Sequence, residues 1–162
     1  MTNLRFSGWC AIIITLISAL ILMILPLPHW AVSYRPAWLL LVVLYWVIVL
    51  PHRVGISIAW MSGLILDSLQ GTLLGENAIC FAILSYLALK FHRHIRLLSL
   101  PFQSLVILVL LLLNQLLLFW FQGLQGQFVS IQWFFGAIIT STLLWSWVFM
   151  VLTSCLKRYK LH

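Results

Sequence analysis

The chain has 162 residues, of which 64% are hydrophobic and only 7% charged, with nine Lys/Arg against two Asp/Glu and a formal net charge of +7. A soluble domain carries roughly a quarter charged residues, so this composition excludes a water-soluble particle and points to a single-domain integral membrane protein. The basic residues are too few and too separated for a nucleic-acid groove; they stand at the ends of apolar runs, where membrane-protein charges belong.

Prolines, glycines and charges cut the chain into six apolar segments, which predict an all-α, polytopic, compact bundle of six transmembrane helices occupying 1–162 as one domain. The first segment, about 7–25, follows Arg5 and runs into Pro26 and Pro28 without a small-x-small cleavage site, so it reads as an uncleaved first span rather than a signal peptide. The second, about 36–50, opens on Pro36 and stops against Pro51. The third and fourth cover about 54–69 and 75–91, the fifth about 101–121 and the sixth about 132–156. Segments two to four, at about 15 to 17 residues, reach only about 22 to 26 Å as helix, short of a hydrocarbon core of about 30 Å. They therefore thin the bilayer, extend into their flanks or sit inside the bundle.

With six crossings and a cytoplasmic N-terminus, Arg35 is the one Lys/Arg of the nine that falls outside; Arg5, Arg53, Lys90, Arg93, Arg96, Lys157, Arg158 and Lys160 fall inside. That bias fixes the expected orientation in a bacterial inner membrane, with both termini cytoplasmic. Trp9, Trp30, Trp38, Trp120, Trp133 and Tyr159 fit interfacial belts. The three cysteines, Cys10, Cys80 and Cys155, lack metal-site spacing and read as small apolar residues.

The two carboxylates are Asp67, near the outer end of the third helix, and Glu76, opening the fourth. An ionisable group in a spanning segment normally has a partner. Arg35 reaches the same face, so an Arg35–Asp67 ion pair tying helices two and three is expected; solvation of Asp67 at the interface and a proton- or ligand-coupled role are the alternatives. Gly63, Gly71 and Gly75, with Ser68, suit close helix approach and a tight reversal between two helices. Asn114 and Gln115 in the fifth helix read as hydrogen-bonding glue, and Thr140, Ser141, Thr142 and Ser146 in the sixth as small packing residues. The run from Lys90 to Arg96, with His92, Arg93 and His94, reads as the main cytoplasmic loop and attracts anionic lipid or a cytoplasmic partner. Its His-x-His lacks a third metal ligand nearby. With no HExxH, Walker loop, CxxC or Ser-His-Asp set, neither an enzyme nor a cofactor or metal site is expected.

Arg35-Pro36-Ala37-Trp38, the Tyr45-Trp46 pair, Leu50-Pro51-His52-Arg53-Val54 and the run Gly63 to Asp67 with Gly71 and Gly75 together resemble the MreD family of rod-shape-determining proteins, in its gammaproteobacterial branch. The specific stretch is Arg35 to Asn77; length, crossings and the basic C-terminus agree. The resemblance implies a non-enzymatic member of the elongasome, required for rod cell shape and lateral peptidoglycan synthesis. Its implied partners, besides membrane lipids, are a bitopic MreC-like protein and, indirectly, MreB, RodA and a class B penicillin-binding protein. It also implies a fold similar to the substrate-binding component of energy-coupling-factor transporters. The structural or partner-interface candidates are Arg35, Pro36, Arg53, Gly63, Asp67, Gly71, Gly75 and Glu76. The competing function is a small-molecule-binding subunit of a vitamin-type transporter, for which Ala11-xxx-Thr15-xxx-Ala19 would be a loose docking stripe.

Overall fold

The structure, a computed structural model, describes residues 2–25, 28, 35–126 and 132–158. Trp30, Tyr159 and Lys160 lie outside the described residues, as do the side chains of Arg5, Trp133, Lys157 and Arg158. Six helices make up the described regular structure, and no strand occurs among the described residues: α1 (Thr2–Ile24), α2 (Trp38–Val49), α3 (Ile56–Gln70), α4 (Glu76–Leu97), α5 (Leu100–Leu124) and α6 (Gln132–Arg158). Leu100–Leu124 and Gly136–Leu156 are long and apolar enough to cross a membrane, while Trp9–Ile24 and Trp38–Val49 are shorter apolar helices.

The shortest helix is the centre of the molecule. The 12 residues of α2, WLLLVVLYWVIV, are apolar on every face, a pattern that suits a helix surrounded by protein. Leu39 to Ile48 are all buried, against α1, α4 and α6. The polar tips of its two aromatic residues find partners on flanking helices, as buried Tyr and Trp require. Trp46 Nε1 donates to Thr15 Oγ1 of α1 at 2.9 Å, and Tyr45 Oη shares a hydrogen bond with Thr153 Oγ1 of α6 at 3.1 Å. The rings pack edge-on, 5.3 Å between centroids, and Tyr45 meets Phe149 likewise at 5.5 Å. The Ala11–Thr15–Ala19 stripe is thereby used inside the chain: Ala11 and Ala19 are buried, and Thr15 holds Trp46.

These contacts also set direction. Ala37 N–H donates to Ser141 Oγ at 3.0 Å and Tyr45 meets Thr153, so α2 and α6 run parallel. Arg35 reaches Leu25 while Trp46 reaches Thr15, so α1 and α2 run antiparallel. One end of the bundle thus gathers the C-termini of α2, α4 and α6, and the other the C-termini of α1, α3 and α5. Large apolar side chains remain exposed along α1, α3, α5 and α6, among them Ile14, Met61, Leu105 and Leu143, as expected where the surroundings are hydrocarbon.

Two details differ from the sequence-based expectation. The run His92-Arg93-His94-Ile95-Arg96 is helical, not a loop: no breaker intervenes before Ser99 and Pro101, so α4 continues to Leu97 and ends with His94 and Arg96 in its last turn, where cations complement the helix dipole. Asn114 is buried, but its Oδ1 has no hydrogen-bond partner, so it does not supply the expected acceptor to a neighbouring helix. The bonds across helices in this region come instead from Ser141 and from Ser146 with Ser104 at 3.4 Å.

Candidate functional site

The hairpin of α3 and α4 is assembled around one carboxylate. Asp67 lies one turn before the end of α3 and is 0% exposed. Its Oδ1 accepts from Thr72 Oγ1 (3.1 Å), Asn77 N–H (3.1 Å) and Asn77 Nδ2 (2.8 Å), and its Oδ2 from Gly75 N–H (2.9 Å) and Ala78 N–H (3.4 Å). The first backbone N–H groups of a helix have no partner within it. Gly75, the residue that precedes α4, makes no side-chain cap; Asp67 caps α4 from the neighbouring helix. The arrangement places a negative charge at a helix N-terminus, where the dipole favours it.

Two glycines and one close approach let the carboxylate arrive there. Gly71 terminates α3 in the left-handed conformation (φ 67°), with its N–H and that of Thr72 (3.2 Å) returning to the Asp67 carbonyl. Gly75 has φ 108°. Gly63, one turn before Asp67 on the same face, lies so near the start of α4 that a Cβ there would fall 2.5 Å from Ala78 Cα and 2.7 Å from its N. At Gly71 and Gly75 a Cβ would meet nothing within 4 Å, so substitution there costs backbone strain alone. Gly71→Ala is expected to lower stability by about 1 to 2 kcal/mol. Gly71→Asn should be nearly neutral, because Asn tolerates that conformation. Gly75 lies beyond the left-handed basin of other residues, so Asn does not rescue there. Thermal unfolding in a mild detergent separates these cases.

The expected Arg35–Asp67 ion pair is not formed. Arg35 Nη2 donates to the Leu25 carbonyl at 2.7 Å, just past the end of α1, and its Nε is buried without a partner. A cation is at home there, on orphaned carbonyls at a helix C-terminus. The acceptor capacity of Asp67 is taken up by the α3–α4 turn and the start of α4. Interface solvation of Asp67 is likewise excluded by its burial. Glu76 does open α4, but it is buried, 5% exposed, and accepts from Gln125 Nε2 at the end of α5 at 3.3 Å. Pro36 lies before α2, and its carbonyl accepts from Trp38 N–H at 2.9 Å. Arg53 is half-buried at the α2–α3 corner, far in the fold from the hairpin reversal. Asn77 and Thr72 escaped selection as site residues; the available signal was a Thr and an Asn flanking a predicted helix start.

Among the described residues no group of three or more His, Cys, Asp or Glu is placed to hold a metal ion, and Cys10, Cys80 and Cys155 are free thiols. The two acidic side chains of the hairpin are each engaged with another element, Asp67 with the start of α4 and Glu76 with Gln125 at the end of α5.

An all-helical bundle with membrane-length apolar helices, an apolar outer surface and its single buried Asp engaged in helix joining defines a helical membrane protein. The sequence profile described as rod shape-determining protein MreD matches residues 4–155. The rod shape-determining protein MreD of Haemophilus influenzae is 35% identical over 155 residues, covering 95% of each chain. The chain therefore belongs to the MreD family, whose members are described as rod shape-determining proteins. No solved structure matches it.

Proposed function

We propose that the chain is a non-enzymatic inner-membrane component of the cell-elongation complex that maintains rod shape and lateral peptidoglycan synthesis as a scaffold or regulator. It would act through a bitopic MreC-like partner and, indirectly, MreB, RodA and a class B penicillin-binding protein. The observation that carries this is the family match over 4–155. The geometry supports it, since the cross-helix hydrogen bonds of Trp46, Tyr45, Ser141 and Asp67 go into fixing helices to one another. Six crossings with both termini cytoplasmic belong to the same proposal. They are supported by the alternating helix directions, which bring Arg53, Arg93 and Arg96 to one end and Asp67 and Glu76 to the other. The likeness of fold to energy-coupling-factor substrate-binding components also stays part of this proposal.

Depletion of the chain in its native host is expected to turn rods into round cells, and crosslinked affinity purification from the native membrane should recover an MreC-like protein with wall synthases. Rods that persist after depletion, or recovery of a transporter ATPase and coupling subunit instead, would sink the proposal.

A further inference from the structure

The end of the bundle opposite the Asp67 clip holds a cavity of about 550 Å³. It lies where the α2–α3 corner meets the last turns of α4 and α6, and it brings His52 and Arg53 from the corner together with His92, Arg93 and Arg96 from α4. The corner and the end of α4 are far apart in sequence, and the parallel course of α2 and α4 together with the antiparallel α3–α4 hairpin joins them.

The chain has two acidic side chains in all, Asp67 and Glu76, and both are engaged at the far end. No acidic side chain of the chain therefore answers three guanidinium groups gathered around one cavity. Arg53 carries a second, independent sign. Its Nη1 is buried and has no hydrogen-bond partner, and a buried charged donor without an acceptor is costly. The lining is complete as a fold and incomplete as a set of hydrogen bonds. A phosphate-bearing group suits the planar fork of arginine through its two non-bridging oxygens, and its ester oxygens, or a third terminal oxygen in a monoester, remain for further guanidinium donors. The volume exceeds what inorganic phosphate needs. Leu156, with the apolar end of α2, gives part of the lining a hydrocarbon character, which suits the glycerol and first methylenes of a lipid.

We propose that this cavity binds a phosphate-bearing anion, in a lipid headgroup or a soluble phosphate compound, on Arg53, Arg93 and Arg96. The site does not depend on the shape-determining role, and its test reads binding alone. The purified full chain in an uncharged detergent is dosed with equimolar dioleoylphosphatidylglycerol and dioleoylphosphatidylcholine, or with inorganic phosphate, and bound adducts are counted by native mass spectrometry.

The expected result is saturable retention of one phosphatidylglycerol, with about tenfold preference over phosphatidylcholine, each tenfold corresponding to about 1.4 kcal/mol. The double variant Arg93→Gln/Arg96→Gln should lose that preference, because both side chains are exposed at the mouth and neither supports the core. Lys90→Gln, an exposed charge on the same helix but outside the lining, should keep it. Displacement of phosphatidylglycerol by inorganic phosphate would assign the site to a soluble phosphate compound. Equal losses in the double variant and in Lys90→Gln would mean diffuse surface charge and overturn the site. Should the double variant fail to fold, the wild-type competition decides alone: no preference for phosphatidylglycerol and no binding of phosphate overturns the proposal.

Discussion

Asp67→Ala is expected to be the most damaging single substitution in the chain, lowering stability by about 3 to 5 kcal/mol, the range found when one partner of a buried charged network is removed. The reason is what remains after truncation. The N–H groups of Gly75, Asn77 and Ala78 and the side chains of Thr72 and Asn77 all donate to this carboxylate. Thr72 is exposed and Gly75 half-buried, but Asn77 and Ala78 are buried, so their donors are left without an acceptor. Each buried donor left unsatisfied costs about 1 to 3 kcal/mol. Asp67→Asn separates charge from shape. Its one remaining carbonyl oxygen is best placed on Gly75 and Ala78, whose backbone N–H groups have no alternative, while the amide faces Thr72 and Asn77, whose side chains are able to reorient. The Asn77 N–H still loses its acceptor, so an intermediate loss of about 1 to 3 kcal/mol is expected. Asn77→Ala, which removes only the 2.8 Å side-chain bond, should be the mildest of the three. The order is read from thermal midpoints in detergent, followed by the fluorescence of the nine Trp. If the alanine variant melts with wild type, the cross-helix cap is not what holds the hairpin.

The partner of Asp67 was the part of the site least accessible from sequence. Gly63 and Asp67 are four residues apart and so share one face of α3, and Gly71 and Gly75 mark a reversal; that much follows from spacing. Pairing by charge then selects Arg35, the one basic residue expected at that end. Backbone N–H groups carry no residue-type signature, so a carboxylate satisfied by a helix start looks, in sequence, like one that still needs a cation. The same blindness affected the basic run of α4. Its charges suggested a loop, although nothing between Phe91 and Leu98 stops a helix, and the meaning of Arg93 and Arg96 depends on Arg53, which arrives from another corner of the fold. The brevity of α2 was visible from Pro36 and Pro51, but its burial is settled by α1, α4 and α6. A helix wrapped by protein has no need to match the bilayer by itself, which answers the shortfall at α2; α4 answers it by running on to Leu97, while α3 stays at 15 residues.

The hairpin also explains how a chain so poor in charge specifies one arrangement of apolar helices. In lipid, apolar side chains gain little by preferring each other over hydrocarbon, so helix association rests on close packing and polar contacts. This fold places such contacts where they decide register: Trp46 on Thr15, Tyr45 on Thr153, Ala37 on Ser141 and Asp67 on the start of α4. The first three pin α2 between α1 and α6; the last pins α3 to α4.

Gly63→Ala tests that last joint from the packing side, and a loss of about 1 to 3 kcal/mol, the usual range for overpacking a tight contact, is its expected minimum. The added Cβ would fall 2.5 Å from Ala78 Cα and 2.9 Å from Asn77 C. These are backbone atoms, so no rotamer change relieves the clash and the helices must separate. Separation lengthens the Asp67 bonds to Asn77 and Ala78, the latter already 3.4 Å, and packing and capping fail together. Two further variants isolate the cause. Ala78→Gly in the Gly63→Ala background removes a side chain but not the obstructing backbone, so it should restore nothing. Asp67→Asn in the same background should cost less than it does alone, because residues in one network are not additive. Full rescue by Ala78→Gly would mean that side-chain bulk, not backbone contact, limits the approach; full additivity with Asp67→Asn would mean that glycine and carboxylate hold the hairpin independently.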